Sequence, residues 1–181
     1  GIVNGIDTRV WDPLNDGSIA HSFSAEDLSG KAVCKRDLQQ RLSLKKNDGP
    51  LFGLIGRLVD QKGIDLVISI MDDIIALGAQ VAVLGSGDSR YEQDLRSLSA
   101  RHKGNLGVVI GFDEDLAHSI EAGADFFLMP SRFEPCGLNQ MISMRYGTLP
   151  IVTRVGGLKD TVTALGEGEN PTGLRVERPT P

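Results

Sequence analysis

Residues 51–85 read LFGLIGRLVDQKGIDLVISIMDDIIALGAQVAVLG, and this stretch decides the fold. LFGLIGRL (51–58) is a short apolar run. GIDLVISIMDDIIALG (63–78) follows with apolar residues spaced near 3.6. QVAVLG (80–85) is a second short apolar run. Strands apolar on both faces, joined by an amphipathic helix, form a parallel βαβ unit covered on both sides. The beat continues downstream: helix at 89–102, strand at 106–112, helix at 114–123 and strand at 125–130. A helix from Gly137 ending at Gly147, a strand at 149–154, a helix at 158–166 and a strand at 172–176 complete it. Right-handed crossovers make this an α/β protein with a Rossmann-like, doubly wound parallel sheet of about six strands.

Upstream of residue 51 the pattern differs. Residues 1–23 are rich in turn signals, among them Asn4-Gly5, Asp12-Pro13 and Asn15-Asp16-Gly17. Ser24 is placed to cap a short helix through Leu28. KAVCKRDLQQRL (31–42) reads as an exposed helix packed by a narrow stripe of Val33, Leu38 and Leu42. Residues 1–50 are therefore read as lead-in loops and helices of the same domain, and 51–181 as its Rossmann-like body. GIVNGID at the start, without Met, and RVERPTP at the end read as truncation at both ends.

The 181 residues carry 40% apolar side chains and a net charge of −5, which suits a globular domain and argues against nucleic acid as partner. The two cysteines, Cys34 and Cys136, lack metal-ligand spacing; no metal is expected, and both are read as reduced thiols of a cytoplasmic protein. No apolar run is long enough to span a membrane, and no signal peptide is evident. His21, His102 and His118 are read as solvated, and Trp11 and Tyr146 as packing.

Open α/β sheets bind ligands at the carboxyl ends of their strands, so each strand-to-helix turn is read for chemistry. In GRLVDQKGID, Arg57 and Lys62 are five residues apart; they form either a diphosphate clamp or two solvated cations. LGSGDSR has two of the three glycines of a dinucleotide fingerprint, with Arg90 at the third. Gly87 either lets a ligand approach or makes a tight turn. Phe112 in IGFDEDL is either a stacking face or core. PSRFEPCGLNQM (130–141) places Glu134 beside Gly137 and a helix start; the amides suit an anion, and Glu134 suits sugar hydroxyls or helix capping. RVGGLKD bares two further amides or simply enters a helix.

Taken together, GIVNGID…WDP, GRLVDQKGID, LGSGD, PSRFEPCGLNQM…RYGTLPIV and GGLKDTV resemble the bacterial glycogen synthase and plant starch synthase family across nearly the whole chain. The resemblance implies the C-terminal, donor-binding half of a two-domain GT-B glycosyltransferase. Such enzymes move glucose from ADP-glucose to the non-reducing end of an α-1,4-glucan with retention, without a metal or other cofactor. The acceptor would bind through an N-terminal domain absent here, leaving the fragment inactive alone. By position, Arg57 and Lys62 match the family's diphosphate pair and Glu134 its active-site acid near the glucose. Cys136, Gly137 and Leu138 match the loop on the sugar and distal phosphate. Phe112 stands where Tyr usually stacks on adenine, and Asn139 where Thr is frequent. A broader retaining clan carries a second Glu eight positions after the first; Ile142 stands there and favours the glycogen and starch synthase branch. The alternatives are a NAD-type domain, which Arg90 disfavours, a non-catalytic nucleotide-sugar-binding module, and another GT-B transferase or epimerase.

Overall fold

A computed structural model describes residues 3–176; the first two residues of GIVNGID and the 177–181 tail lie outside it. Six strands, β1 (Leu51–Leu58), β2 (Gln80–Gly87), β3 (Leu106–Ile110), β4 (Phe126–Met129), β5 (Leu149–Thr153) and β6 (Leu174–Val176), form one sheet in the order β3-β2-β1-β4-β5-β6. Every pairing is parallel. The expected architecture is the one found.

Both faces of the inner strands are buried, as the continuous apolar runs require, while β6 at the edge is half-buried to exposed. Leu51, Ala82, Leu84, Phe127, Met129 and Val152 face α1 (Ser29–Arg41), α5 (Glu114–Gly123) and α7 (Gly156–Thr161). Leu54, Leu58, Val81, Val83 and Leu106 face α2 (Ile64–Ser69), α3 (Met71–Ala76) and α4 (Ser89–Arg101). α6 (Asn139–Arg145) places Ile142 in a third cluster with Cys34, Ala122 and Tyr146.

Several boundaries differ from the sequence reading, each for a local reason. The 63–78 helix breaks at Ile70, where the Ser69 hydroxyl donates back to the Leu66 carbonyl at 2.7 Å within a β-branched run. The helix expected from Ser24 is a turn: the Glu26 N–H donates to Ser24 Oγ, and Ser24 N–H to the Asp27 carbonyl. α1 packs through Gly30, Cys34 and Leu38, and Val33 is exposed. α7 stops at Thr161, after which Thr163 and Ala164 pair with Thr172 and Gly173.

His118 is not solvated. It is 5% exposed, stacks on Trp11 with ring centroids 4.0 Å apart, and shares Asp16 with the Tyr146 hydroxyl. The Asp16 side chain is itself buried, and burial pushes the Tyr146 phenol pKa up. The lead-in is thereby pinned to α5 and α6. Asp16→Ala should strand two buried groups at about 1–3 kcal/mol each, lowering Tm by roughly 5–20 °C in thermal denaturation.

Candidate functional site

In this strand order the chain winds away from β1 in one direction and from β4 in the other. A crevice opens between their carboxyl ends. β1 and β4 register only at Phe52↔Phe126 and Gly53↔Phe127. Further along, the Ile55 carbonyl instead accepts the Asn139 side-chain amide at 2.9 Å. A cavity of about 430 Å³ sits there, lined by Arg57, Lys62, Ser131, Glu134, Gly137 and Leu138 among others. A second cavity of about 270 Å³ adjoins it through Ile55, Gly56, Arg57 and Asn139, and reaches Ser86 and Phe112.

The turn after β1 and the turn after β4 are joined by several bonds. Lys62 Nζ donates to Glu134 Oε2, which also accepts from Ser131 Oγ at 3.2 Å. Gln61 takes a bond from Arg57 and donates to the Phe133 carbonyl at 2.9 Å. Arg132 makes two 2.6 Å bonds to Asp65 and a third to the Asp60 carbonyl. The Arg132 hydrogen bond holds the Asp65 carboxyl below the usual carboxylate range. Glu134 is 6% exposed and thus held beside the cavity by a cation and a hydroxyl. The helix-capping alternative for its side chain finds no support: α6 has no side-chain cap.

The glycines of this region serve close backbone approach. At Gly63, φ is +68° and a Cβ would lie 2.2 Å from the Pro130 carbonyl oxygen, so the first turn closes onto the fourth. Gly87, read as a ligand-approach or turn glycine, has backbone opposite it. A Cβ there would meet the Leu58 carbonyl oxygen at 2.3 Å, so the residue serves β1–β2 approach, and it lines neither cavity. Arg90 lies over the Tyr91 ring and bonds its hydroxyl at 2.6 Å. The glycine pair of RVGGLKD supports the Glu134 turn: the Gly157 N–H donates to the Glu134 carbonyl at 3.0 Å.

Of the expected residues, Arg57, Lys62, Glu134, Cys136, Gly137, Leu138 and Asn139 converge on the first cavity. Phe112 lies in the second, 90% exposed, which removes the core-filler alternative. The sequence reading gives no site role to Asn4, Gln61, Ser131 or Gln140. Asn4 and Ser131 line the first cavity, and Gln61 and Gln140 bind its turns. Cys34 and Cys136 are both free thiols, and burial raises the Cys34 pKa. No group of three or more metal-ligating side chains occurs among the described residues, nor any helix long and apolar enough to cross a membrane.

The profile described as glycosyl transferases group 1 matches residues 35–180. The chain belongs to the group 1 glycosyl transferases. Among curated members, the chain is 54% identical over 174 residues to a glycogen synthase of Paracidovorax citrulli, covering 96% of this chain and 34% of that protein. It is 52% identical over 182 residues to one from Anaeromyxobacter dehalogenans, covering 100% and 38%. The chain thus spans about a third of the length of these group 1 relatives. The catalytic domain of starch synthase IV from Arabidopsis thaliana, solved with ADP and acarbose, superposes with a TM-score of 0.91 at 37% identity, over 99% of this chain and 38% of that one. Anabaena HepE in complex with UDP and glucose, at 18% identity and a TM-score of 0.70 over 99% of this chain and 44% of that one, shares the fold. The GT-B-like character implied by the sequence resemblance is borne out.

Proposed function

We propose that this chain is the donor-nucleotide half of a glycogen or starch synthase, a cytoplasmic enzyme. It transfers glucose from ADP-glucose to the non-reducing end of an α-1,4-glucan with retention of configuration. The observation that carries the reading is the convergence of Arg57, Lys62 and Glu134 on one cavity at the switch point, continuous with a second cavity that presents Phe112. Its proportions suit a sugar diphosphate on one side and a base on the other. The identities to glycogen synthases and the ADP-bound starch synthase neighbour support the same assignment.

In the mechanism, the anomeric C–O bond to the diphosphate breaks and the acceptor 4-hydroxyl attacks from the same face, releasing ADP and a proton. Arg57 and Lys62 hold the departing diphosphate, whose charge grows as the bond stretches; that is where a fixed cation lowers the barrier. The amides of the Gly137–Leu138 turn assist. Lys62 and Glu134 neutralise one another before the donor arrives. When Lys62 turns to phosphate, Glu134 is freed for the glucose hydroxyls and the cation-like ring. Phe112 stacks on adenine, and Asn139 spans the two cavities. No metal enters this scheme. The acceptor and the closure that excludes water come from an N-terminal domain, so residues 51–181 with their lead-in bind donor and turn over little alone.

The test is transfer from ADP-glucose to a maltooligosaccharide by the full-length enzyme, with the product linkage determined. Phe112→Ala should raise the donor KM about two- to tenfold with kcat nearly unchanged, as expected when stacking of roughly 0.5–1.5 kcal/mol is lost. A chelator should leave the rate intact. Absence of an α-1,4 product, or epimerised sugar in its place, contradicts the reading.

A further inference from the structure

Gln140 stands on α6 with its side chain fully buried, at 0% exposure, behind the turn that lines the cavity. Its Nε2 donates to the carbonyls of Cys136 at 3.0 Å and Gly137 at 3.1 Å, and to Thr161 Oγ1 at 3.0 Å. The Thr161 hydroxyl is committed as a donor to the Gly157 carbonyl at 2.6 Å, so it acts as acceptor toward Gln140. Three acceptors around one terminal atom identify that atom as nitrogen. Gln140 Oε1 is buried without a partner, on the side of Gly137, where an added Cβ would lie 2.5 Å from it.

These bonds dictate where the turn's amides point. In a planar trans peptide the N–H is directed opposite to the preceding C=O, and no cis peptide occurs among the described residues. Drawing the Cys136 and Gly137 carbonyls inward to one amide nitrogen turns the N–H groups of Gly137 and Leu138 away from Gln140. Among the described residues, neither N–H donates to a backbone carbonyl. Both residues line the cavity. We propose that Gln140 is the positioning residue of an anion-receiving turn. It draws two carbonyls into the core, linked through Thr161 to α7, and thereby aims two adjacent amides at the phosphate of the bound nucleotide. The inference rests on the donor-site reading above. It adds a residue that touches no ligand and acts only through the backbone.

The turn should therefore distinguish ligands by their phosphates. In full-length protein titrated calorimetrically, Gln140→Met keeps length and burial and removes the donor. It should weaken ADP binding about tenfold or more, as befits hydrogen bonds to a charged group, and leave adenosine affinity within about twofold. Thr161→Val should weaken ADP in the same selective way to a smaller extent, with Thr161→Ser restoring it. Unchanged ADP affinity in Gln140→Met, or equal losses for ADP and adenosine, overturns the proposal. Should Gln140→Met fail to fold by circular dichroism, Thr161→Val against Thr161→Ser decides by the same criterion. A wild-type protein that binds neither ligand overturns the donor-site reading and this inference together, whereas ADP binding that the variants leave intact overturns this inference alone.

Discussion

Lys62→Ala and Glu134→Ala should each lower glucose transfer by the full-length enzyme about 10²–10³-fold, the cost typical of removing one preorganised electrostatic group from a transition state. The loss should fall mainly on kcat. Lys62 acts on diphosphate charge that is largest after the glycosidic bond has stretched, and Glu134 on positive charge that exists only then. The two effects should not add. Lys62 and Glu134 are bonded in the unliganded protein, and Glu134 is almost wholly buried. Removing Lys62 alone leaves a buried carboxylate without its cation. The double variant should accordingly lose less than the product of the single losses. Near-normal kcat in both single variants, measured at saturating donor, would remove both residues from the mechanism.

Gly157→Ala should lower kcat/KM about a hundredfold, although residue 157 lies outside both cavities. A Cβ at this position would stand 2.2 Å from the Cys136 carbonyl oxygen and 2.5 Å from its Cα. Both are backbone atoms and cannot rotate away as the end of a side chain can. The Gly157 N–H also holds the Glu134 carbonyl. Relief of the clash requires the Glu134–Gly137 turn to shift by about 1 Å, and a misplacement of that size costs roughly 10²-fold in an oriented reaction. The strands and the cluster around α2, α3 and α4 do not depend on this contact, so circular dichroism should match wild type. A folded Gly157→Ala enzyme with wild-type kcat/KM contradicts the role given to this glycine.

The contrast between these glycines and the strands explains what was legible in the sequence. The strands write themselves as short apolar runs because a parallel sheet between two helical layers has no polar face. A cleft at the ends of β1 and β4 then follows from topology, and the Arg57–Lys62 and Glu134–Leu138 turns fall on it. Arg57, Lys62, Glu134 and Phe112 are polar or exposed aromatic residues at strand ends, where folding alone has little use for them. Glycines are silent in this respect. Gly87 and Gly157 look like ligand-facing glycines, yet they admit backbone from another turn or strand, and only coordinates show what lies opposite. The burial of His118 is hidden in the sequence for a related reason. Its partners Trp11 and Asp16 lie over a hundred residues away in sequence, beyond the reach of any local pattern. Gln140 left a fainter signal: a polar side chain at a core-facing position of a short helix needs buried partners. The Ile70 break and the early end of α7 escaped because 3.6-residue periodicity carries across a back-bonded serine and a β-branched run.

The most direct test of the central claim is calorimetric titration of the full-length protein with ADP, comparing wild type with Arg57→Ala/Lys62→Ala. Wild type should bind one ADP per chain, and the double variant should bind it at least about a hundredfold more weakly, as expected when two charge-assisted contacts of roughly 1.5–3 kcal/mol each are lost. Equal ADP affinity in the two proteins would mean that these cations do not grip the diphosphate, and the assignment of the cleft would fall with them.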